Sequence, residues 1–285
     1  MSEKPLNWGK WGGDDERGTL NYITPEKTLR AAKLVTTGRV YPLAIPLEAE
    51  GPIWPTRHKN WHVAMFRNID GEGPGGAEDI LMIHTHGSTH VDALCHVFAD
   101  AKMYNGYSTK DAINATGARK NAISNIGGIV TRGILLDIAG HHGVEVLDAG
   151  HVITPEEIEA VADAEGVAIE SGDALLFRTG WIKVWDEDHD KFNARQPGPS
   201  LAVAEWAGRH EIAIMAADNS AVEAHPLPEG LVVHQEFLRN QGGYLMELLN
   251  LEELAHDKVY EFQFVVAPLN IKKGLGSPIT PLAIC

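Results

Sequence analysis

The chain of 285 residues is 44% hydrophobic and 22% charged, with a formal net charge of −15. These are globular values that allow a sizeable core, and the acidic excess argues against a nucleic-acid partner and against an anionic membrane surface. Two cysteines, Cys95 and Cys285, cannot build a disulfide framework, and no stretch approaches the ~20 apolar residues of a membrane span.

The opening Met1 to Asn7 is polar and lacks the apolar run of a signal peptide, so the expected setting is the cytoplasm. Trp8 and Trp11 follow in an otherwise polar stretch and need a surface, on the body or on a neighbouring subunit. Asp14, Asp15, Glu16 and Asn21 are expected to approach the mouth of the site. Thr24-Pro25-Glu26 sets a cap residue before a proline at the first helical position, predicting a helix over residues 25 to about 36, with Gly38 just past it. Apolar runs at 40–46, 61–66 and 80–83 read as strands.

Gly71-Glu-Gly73-Pro-Gly75-Gly76 has the letters of a dinucleotide-binding loop, but it holds a proline and leads into acidic residues and a strand, so a mobile loop is expected. Asn105-Gly106 marks a tight turn. A strand at 133–138 precedes His141 and His142, which sit in a glycine-bounded loop and read as non-ligands. Thr154-Pro155-Glu156-Glu157 is a capping box, and its helix is expected to run to Glu165 and stop at Gly166.

Further strands are expected at 174–178, 212–217 and 260–267. Between the first two, Asp186, Asp188 and Asp190 imitate the start of a calcium loop. Lys191 and Pro197 occupy its glycine and glutamate positions, so a solvated loop is the expectation. Few helices among many strands indicate an α/β or α+β domain on a mixed sheet.

The chemistry concentrates in His86-Gly-Ser-Thr-His90-Val-Asp92-Ala-Leu-Cys-His96. Imidazole and carboxylate are the usual ligands of Zn²⁺ and Mn²⁺. A helix would hold Asp92 about 200° from His90, whereas an extended chain puts these even-numbered positions on one face. A straight strand would spread its ends by ~33 Å, so the segment must bend sharply. Residues 80–83 read as the buried strand that delivers it, and Cys95, of odd parity, as an inert buried thiol. Further ligands must come from downstream, where His210, His225, His234 and His256 are candidates, and the stretch from His234 to Glu247 stands out.

On these residues the sequence resembles the metal-dependent cyclase family, whose characterised members include bacterial kynurenine formamidase and isatin hydrolase. The resemblance rests on His86, His90, Asp92 and His96, on His234 and Glu247, and on Trp54-Pro55, with supporting stretches from Trp11 to Asp218-Asn219. It implies an α/β, swivelling β/β/α fold with a mixed, partly barrel-like sheet flanked by helices. Residues 1–38 would form an extension packed on the body or a partner subunit, 39–285 one metal-hydrolase domain, and the assembly a homodimer or homotetramer.

The resemblance further implies one or two Mn²⁺ or Zn²⁺ ions per chain. His86, His90 and Asp92 would hold one. Asp92, His234 and Glu247 would hold the second, with His96 as the acid/base residue and Trp54 as a pocket wall. Trp61 and His62 are further candidates to stack on a flat substrate ring, although core packing is the plainer expectation for Trp61. Asp218 and Glu223 either support the ligands or cap a strand end.

Kynurenine formamidases read H-x-G-T-H-x-D-x-P-x-H, whereas Ser88 and Leu94 stand here at the glycine and proline positions. That difference leaves the metal chemistry intact and points away from formylkynurenine as substrate. The leading expectation is a hydrolase of a small amide, lactam, imide or lactone. A lyase or cyclase acting through an enolate, and a non-catalytic small-molecule binder, are the alternatives.

Overall fold

Pairing of the apolar runs produces a nine-stranded mixed sheet in a computed structural model that describes residues 7–226 and 230–285. Met1 to Leu6, part of the polar start behind the cytoplasmic expectation, lie outside the described residues. Across the sheet the strands run Val40–Pro42, Leu282–Ile284, Glu261–Val266, Ile129–Asp137, Ala174–Arg178, Ile214–Ala217, Tyr244–Glu247, His90–Asp92 and Gly276–Pro278. The four strands from Ile129–Asp137 to Tyr244–Glu247 are parallel to one another, and the outer pairings are antiparallel. Those parallel strands are almost continuously apolar, as befits strands covered on both faces. Ala174 to Phe177 and Ile214 to Ala217 are fully buried.

Local chemistry sets the helix ends. In Pro155–Glu165 the Thr154 hydroxyl accepts the Glu157 N–H at 3.3 Å, and Glu157 accepts the Thr154 N–H at 3.4 Å. Gly166 closes the helix at φ +72°, a left-handed conformation that costs glycine little. The first helix, Pro25–Ala32, starts at the expected cap, where Thr24 accepts the Lys27 N–H, but ends short of residue 36. The β-branched Val35-Thr36-Thr37 run is a poor helix former, and the N–H groups of Thr37 and Gly38 bond instead to the Cys285 carbonyl.

Two expectations fail for reasons of environment. Residues 80–83 are not a buried strand: Gly76–Met82 is fully exposed and pairs only with Trp61–Arg67, forming a hairpin beside the sheet. An apolar run marks a strand without saying what covers it. Trp61 is correspondingly 48% exposed and not in the core. Gly71 to Gly75 form the hairpin turn, held by the Asn68 side chain on the carbonyls of Glu72 and Pro74. The run with Asp186, Asp188 and Asp190 is not a loop but two short helices, Ile182–Glu187 and His189–Ala194, and Asp188 caps the second by accepting the Lys191 N–H at 2.9 Å.

The start of the described chain is bound to the body. The Trp8 indole donates to the Arg239 carbonyl at 3.1 Å, and Arg239 lies over the Trp8 ring. Asp15 accepts from Gly18 N, Asn21 Nδ2 and the Tyr104 hydroxyl, while Glu16 accepts from Lys120, Asn121 N and Asn125. These carboxylates, expected at the mouth of the site, act as anchors. Among the described residues no helix is long and apolar enough to cross a membrane.

Candidate metal centre

The ligand segment is a three-residue strand, His90–Asp92, between turns that carry His86 and His96. The bend the spacing demands falls at Ser88, whose φ of 56° is unusual for a residue with a side chain. Behind the bend, Cys95 is buried, and burial pushes its thiol up to about 12, as an inert core cysteine should be. Sheet register supplies the next partner: His90 stands directly opposite Glu247, the last residue of a parallel strand. Carboxyl ends of parallel strands are where open α/β sheets gather ligands. On the other side Gly276 pairs with Asp92, and a Cβ there would come within 2.5 Å of His86 Nε2, so glycine makes room for that imidazole. His234 enters as the first residue of a π-helical turn, His234–Asn240, a geometry common at functional sites.

These elements bring four imidazoles and two carboxylates together. His90 Nε2 lies 3.3 Å from Glu247 and 3.7 Å from Asp92. His234 Nε2 lies 3.4 Å from the other Asp92 oxygen and 3.3 Å from Glu247. His86 Nε2 is 3.4 Å from Asp92, and its ring stacks on His96 at 4.0 Å. The ligand atoms of His86, Asp92 and His96 lie within 4.8 Å of one another, as do those of His90, Asp92 and Glu247. The six residues meet: His86 and His90 both approach one Asp92 oxygen, His234 approaches the other together with Glu247, and His96 lies with His86 and Asp92.

The donor set suits a cation. Both Asp92 oxygens are buried without a hydrogen-bond partner, an expensive state for a carboxylate. Two ring nitrogens are already committed elsewhere. His90 Nδ1 donates to the Ser88 carbonyl at 2.8 Å, and His234 Nδ1 to Glu223 at 2.5 Å. Each bond leaves the Nε2 lone pair facing the carboxylates, the outer-shell pattern of ligand histidines. Glu223 also accepts the N–H groups of Val233 and His234, so it fixes both backbone and ring.

The electrostatics agree. Burial opposes charge on His90 and His234, yet the neighbouring carboxylates outweigh it and raise both. Against burial, the surrounding imidazoles lower Asp92 and Glu247. Burial drives His86 down to about 3 and also lowers His96. Positive charge is therefore demanded where the two carboxylates meet.

Trp54 lies beside this cluster. Ile53 bridges to Gly87, and Ser88 N donates to the Pro52 carbonyl. The Trp54 ring meets His225 edge-on at 5.0 Å, two residues from Glu223. His225 is thus the ring partner of Trp54, a contact that no local pattern announces. Trp61 and His62 are on the hairpin, where His62 pairs with Asp79 at 2.9 Å; neither joins the contacts of the cluster. Asp218 is a strand-end cap that accepts from Thr179 and Gly180 backbone and from the Thr179 hydroxyl. His210 stacks on Trp206 and His256 pairs with Asp257, so the other downstream histidines are accounted for outside the centre.

The sequence matches the cyclase family model, described as "Putative cyclase", over residues 41–224. Isatin hydrolase of Roseibium aggregatum is 25% identical over 229 residues, 75% of this chain and 77% of its own length. A crystal structure described as a novel cyclase has a TM-score of 0.92 at 34% identity, covering 98% of this chain and 97% of that one. An isatin hydrolase bound to the product analogue thioisatinate gives 0.68 at 20% identity, with 92% and 99% covered. That likeness carries the fold, the α/β architecture with a curled mixed sheet.

Proposed function

The chain belongs to the cyclase family, and on that footing we propose that it is a metal-dependent hydrolase opening a small-molecule amide, lactam, imide or lactone. The observation that carries this reading is the buried Asp92 carboxylate, without hydrogen bonds and ringed by His86, His90, His96 and His234 with Glu247. Isatin, the compound in one relative's name, is a flat cyclic amide, which supports the substrate class.

His86, His90, Asp92, His234 and Glu247 would hold a divalent ion such as Mn²⁺ or Zn²⁺, which would acidify water and polarise a carbonyl. The chain's own residues do the rest. Ser88 and Glu223 lock the tautomers of His90 and His234. Trp54 and His225 form a wall against which a flat ring packs. His96, whose proton affinity burial lowers, is the group placed to take a proton from water and to give one to a leaving nitrogen. Its place beside His86 and Asp92 also suits a ligand, and a His96→Ala variant separates the two roles by its metal content.

The assembly we propose is a homo-oligomer that covers the hairpin. Trp61, Val63 and Met65 share one hairpin face with Met82 and Ile80, and Met82 is 65% exposed. A lone two-stranded hairpin is marginal in water, and this apolar face supports a second copy as its cover.

The test is a panel of cyclic amides, imides and lactones offered to metal-loaded protein, with products followed by mass. Ring opening with gain of one water is the expected result. Turnover without water gain would replace the hydrolase by a lyase or cyclase, and binding without turnover would leave a non-catalytic binder.

A further inference from the structure

Outside the Asp92 centre, one other group of side chains has the composition of a metal site. His142 caps the C-terminal end of the Ile138–His141 helix. His151 ends a turn in which its N–H bonds to the Asp148 carbonyl, just before the Val152–Ile153 strand. Glu157 is in the first turn of the Pro155–Glu165 helix. The fold therefore brings together three residues from three separate elements. Glu157 Oε1 lies 2.6 Å from His142 Nε2 and 2.9 Å from His151 Nε2, and the two imidazole rings meet edge-on at 5.3 Å.

We propose that His142, His151 and Glu157 form a second binding site for one divalent transition ion of the zinc class. Two imidazole nitrogens and one carboxylate oxygen are a known donor set for Zn²⁺, and no thiolate is needed. All three ligand atoms lie within 4.8 Å of one another. Bonds of about 2.0–2.2 Å in a tetrahedron keep ligand atoms about 3.3 Å apart, so an ion enters after the side chains part by roughly half an ångström.

Exposure suits such an entry. Glu157 is 14% exposed, His151 28% and His142 43%, so the carboxylate forms the floor and one imidazole is free to swing. The fourth position opens to solvent. Glu157 Oε2 meanwhile serves the cap on Thr154 N, which holds the carboxylate in place before the ion arrives. Bound there, the ion would staple the end of one helix and the 148–151 turn to the start of another. The site shares no residue with the Asp92 centre and does not depend on its function.

The experiment is a zinc count by mass spectrometry on full-length protein, stripped with chelator, reloaded with Zn²⁺ and desalted. Wild type is compared with the double variant His142→Gln, His151→Gln, whose amides still reach Glu157. The expected result is one Zn²⁺ equivalent fewer in the double variant. Thermal midpoint should also rise less on Zn²⁺ addition, because ion binding stabilises only a fold that holds the site. Circular dichroism checks the fold, and Glu157→Gln gives the same readout if the double variant folds poorly. Equal zinc content and an equal thermal response in wild type and variants would overturn the proposal and leave a hydrogen-bonded His–Glu–His cluster.

Discussion

The Trp61–Met82 hairpin and the His86–His96 segment are neighbours in sequence and opposites in environment. Both carry strands, and the hairpin's strands are the more apolar. Yet every hairpin strand residue except Val63 is exposed, whereas Ser88 to Cys95 are all buried. The difference is in partners. His90–Asp92 is paired on both sides, by Tyr244–Glu247 and Gly276–Pro278, while the hairpin strands pair only with each other. Burial in this chain follows sheet register more than local hydrophobicity. Register is therefore what turns an ordinary His-rich segment into a charged, desolvated centre.

The comparison can be sharpened first on the buried side. His96→Ala should lower kcat by ~10²–10⁴-fold while most of the metal stays, the range for a lost general acid/base. Loss of metal in proportion to activity, measured by mass spectrometry beside steady-state kinetics, would make His96 a ligand with His86 and Asp92. Glu223→Ala frees the His234 ring, and metal affinity should weaken by ~10–100-fold in a competition titration. An unchanged affinity would reduce Glu223 to a backbone cap.

Away from the centre, burial alone has a smaller cost. Glu165 Oε2 is buried without a hydrogen-bond partner, and burial pushes this carboxyl up from 4.5 to about 8. The folded state keeps the proton over that window while the unfolded chain releases it, so this group's contribution to stability falls as pH rises from 4.5 to about 8. Glu165→Gln should flatten that fall and stabilise the protein by on the order of 1 kcal/mol at pH 8, with solvent screening allowed for. Denaturant melts at pH 5 and pH 8 check it, and an equal gain at both would contradict the assignment.

The hairpin should respond least in stability and most in mass. Ile80→Glu with Met82→Glu should alter stability at the level of the isolated chain by no more than about 0.5 kcal/mol. Sedimentation should nevertheless show a smaller assembly. An unchanged sedimentation profile would break the link between the exposed face and a second copy.

What the sequence made legible was set by how local the determining chemistry is. The Pro155–Glu165 helix was readable to its last residue because Thr154, Glu157 and Gly166 act within one turn of their own positions. The 174–178 strand was equally plain. The end of the first helix is not legible locally, because the N–H groups of Thr37 and Gly38 bond to the distant Cys285 carbonyl. The exposure of residues 80–83 is not legible locally, because what covers a strand is not in the neighbouring sequence. At the centre, His86, His90 and Asp92 stood out by spacing. His234 and Glu247 needed a family resemblance, since only sheet register sets Glu247 opposite His90. Gly276, Glu223 and His225 carried no usable pattern: their roles are a missing Cβ, a ring tautomer and an edge-on contact.

The central claim is that the buried carboxylates around Asp92 exist to hold a cation on which turnover depends. Its most direct test uses the best substrate from the panel, measured before chelation, after chelation and after return of Mn²⁺ or Zn²⁺, with Asp92→Ala as the reference. Activity should vanish with the ion, by on the order of 10³-fold or more, and come back with it. Asp92→Ala should hold less metal and stay inactive under every condition. Full turnover by metal-free protein, or by an Asp92→Ala variant, would contradict the account.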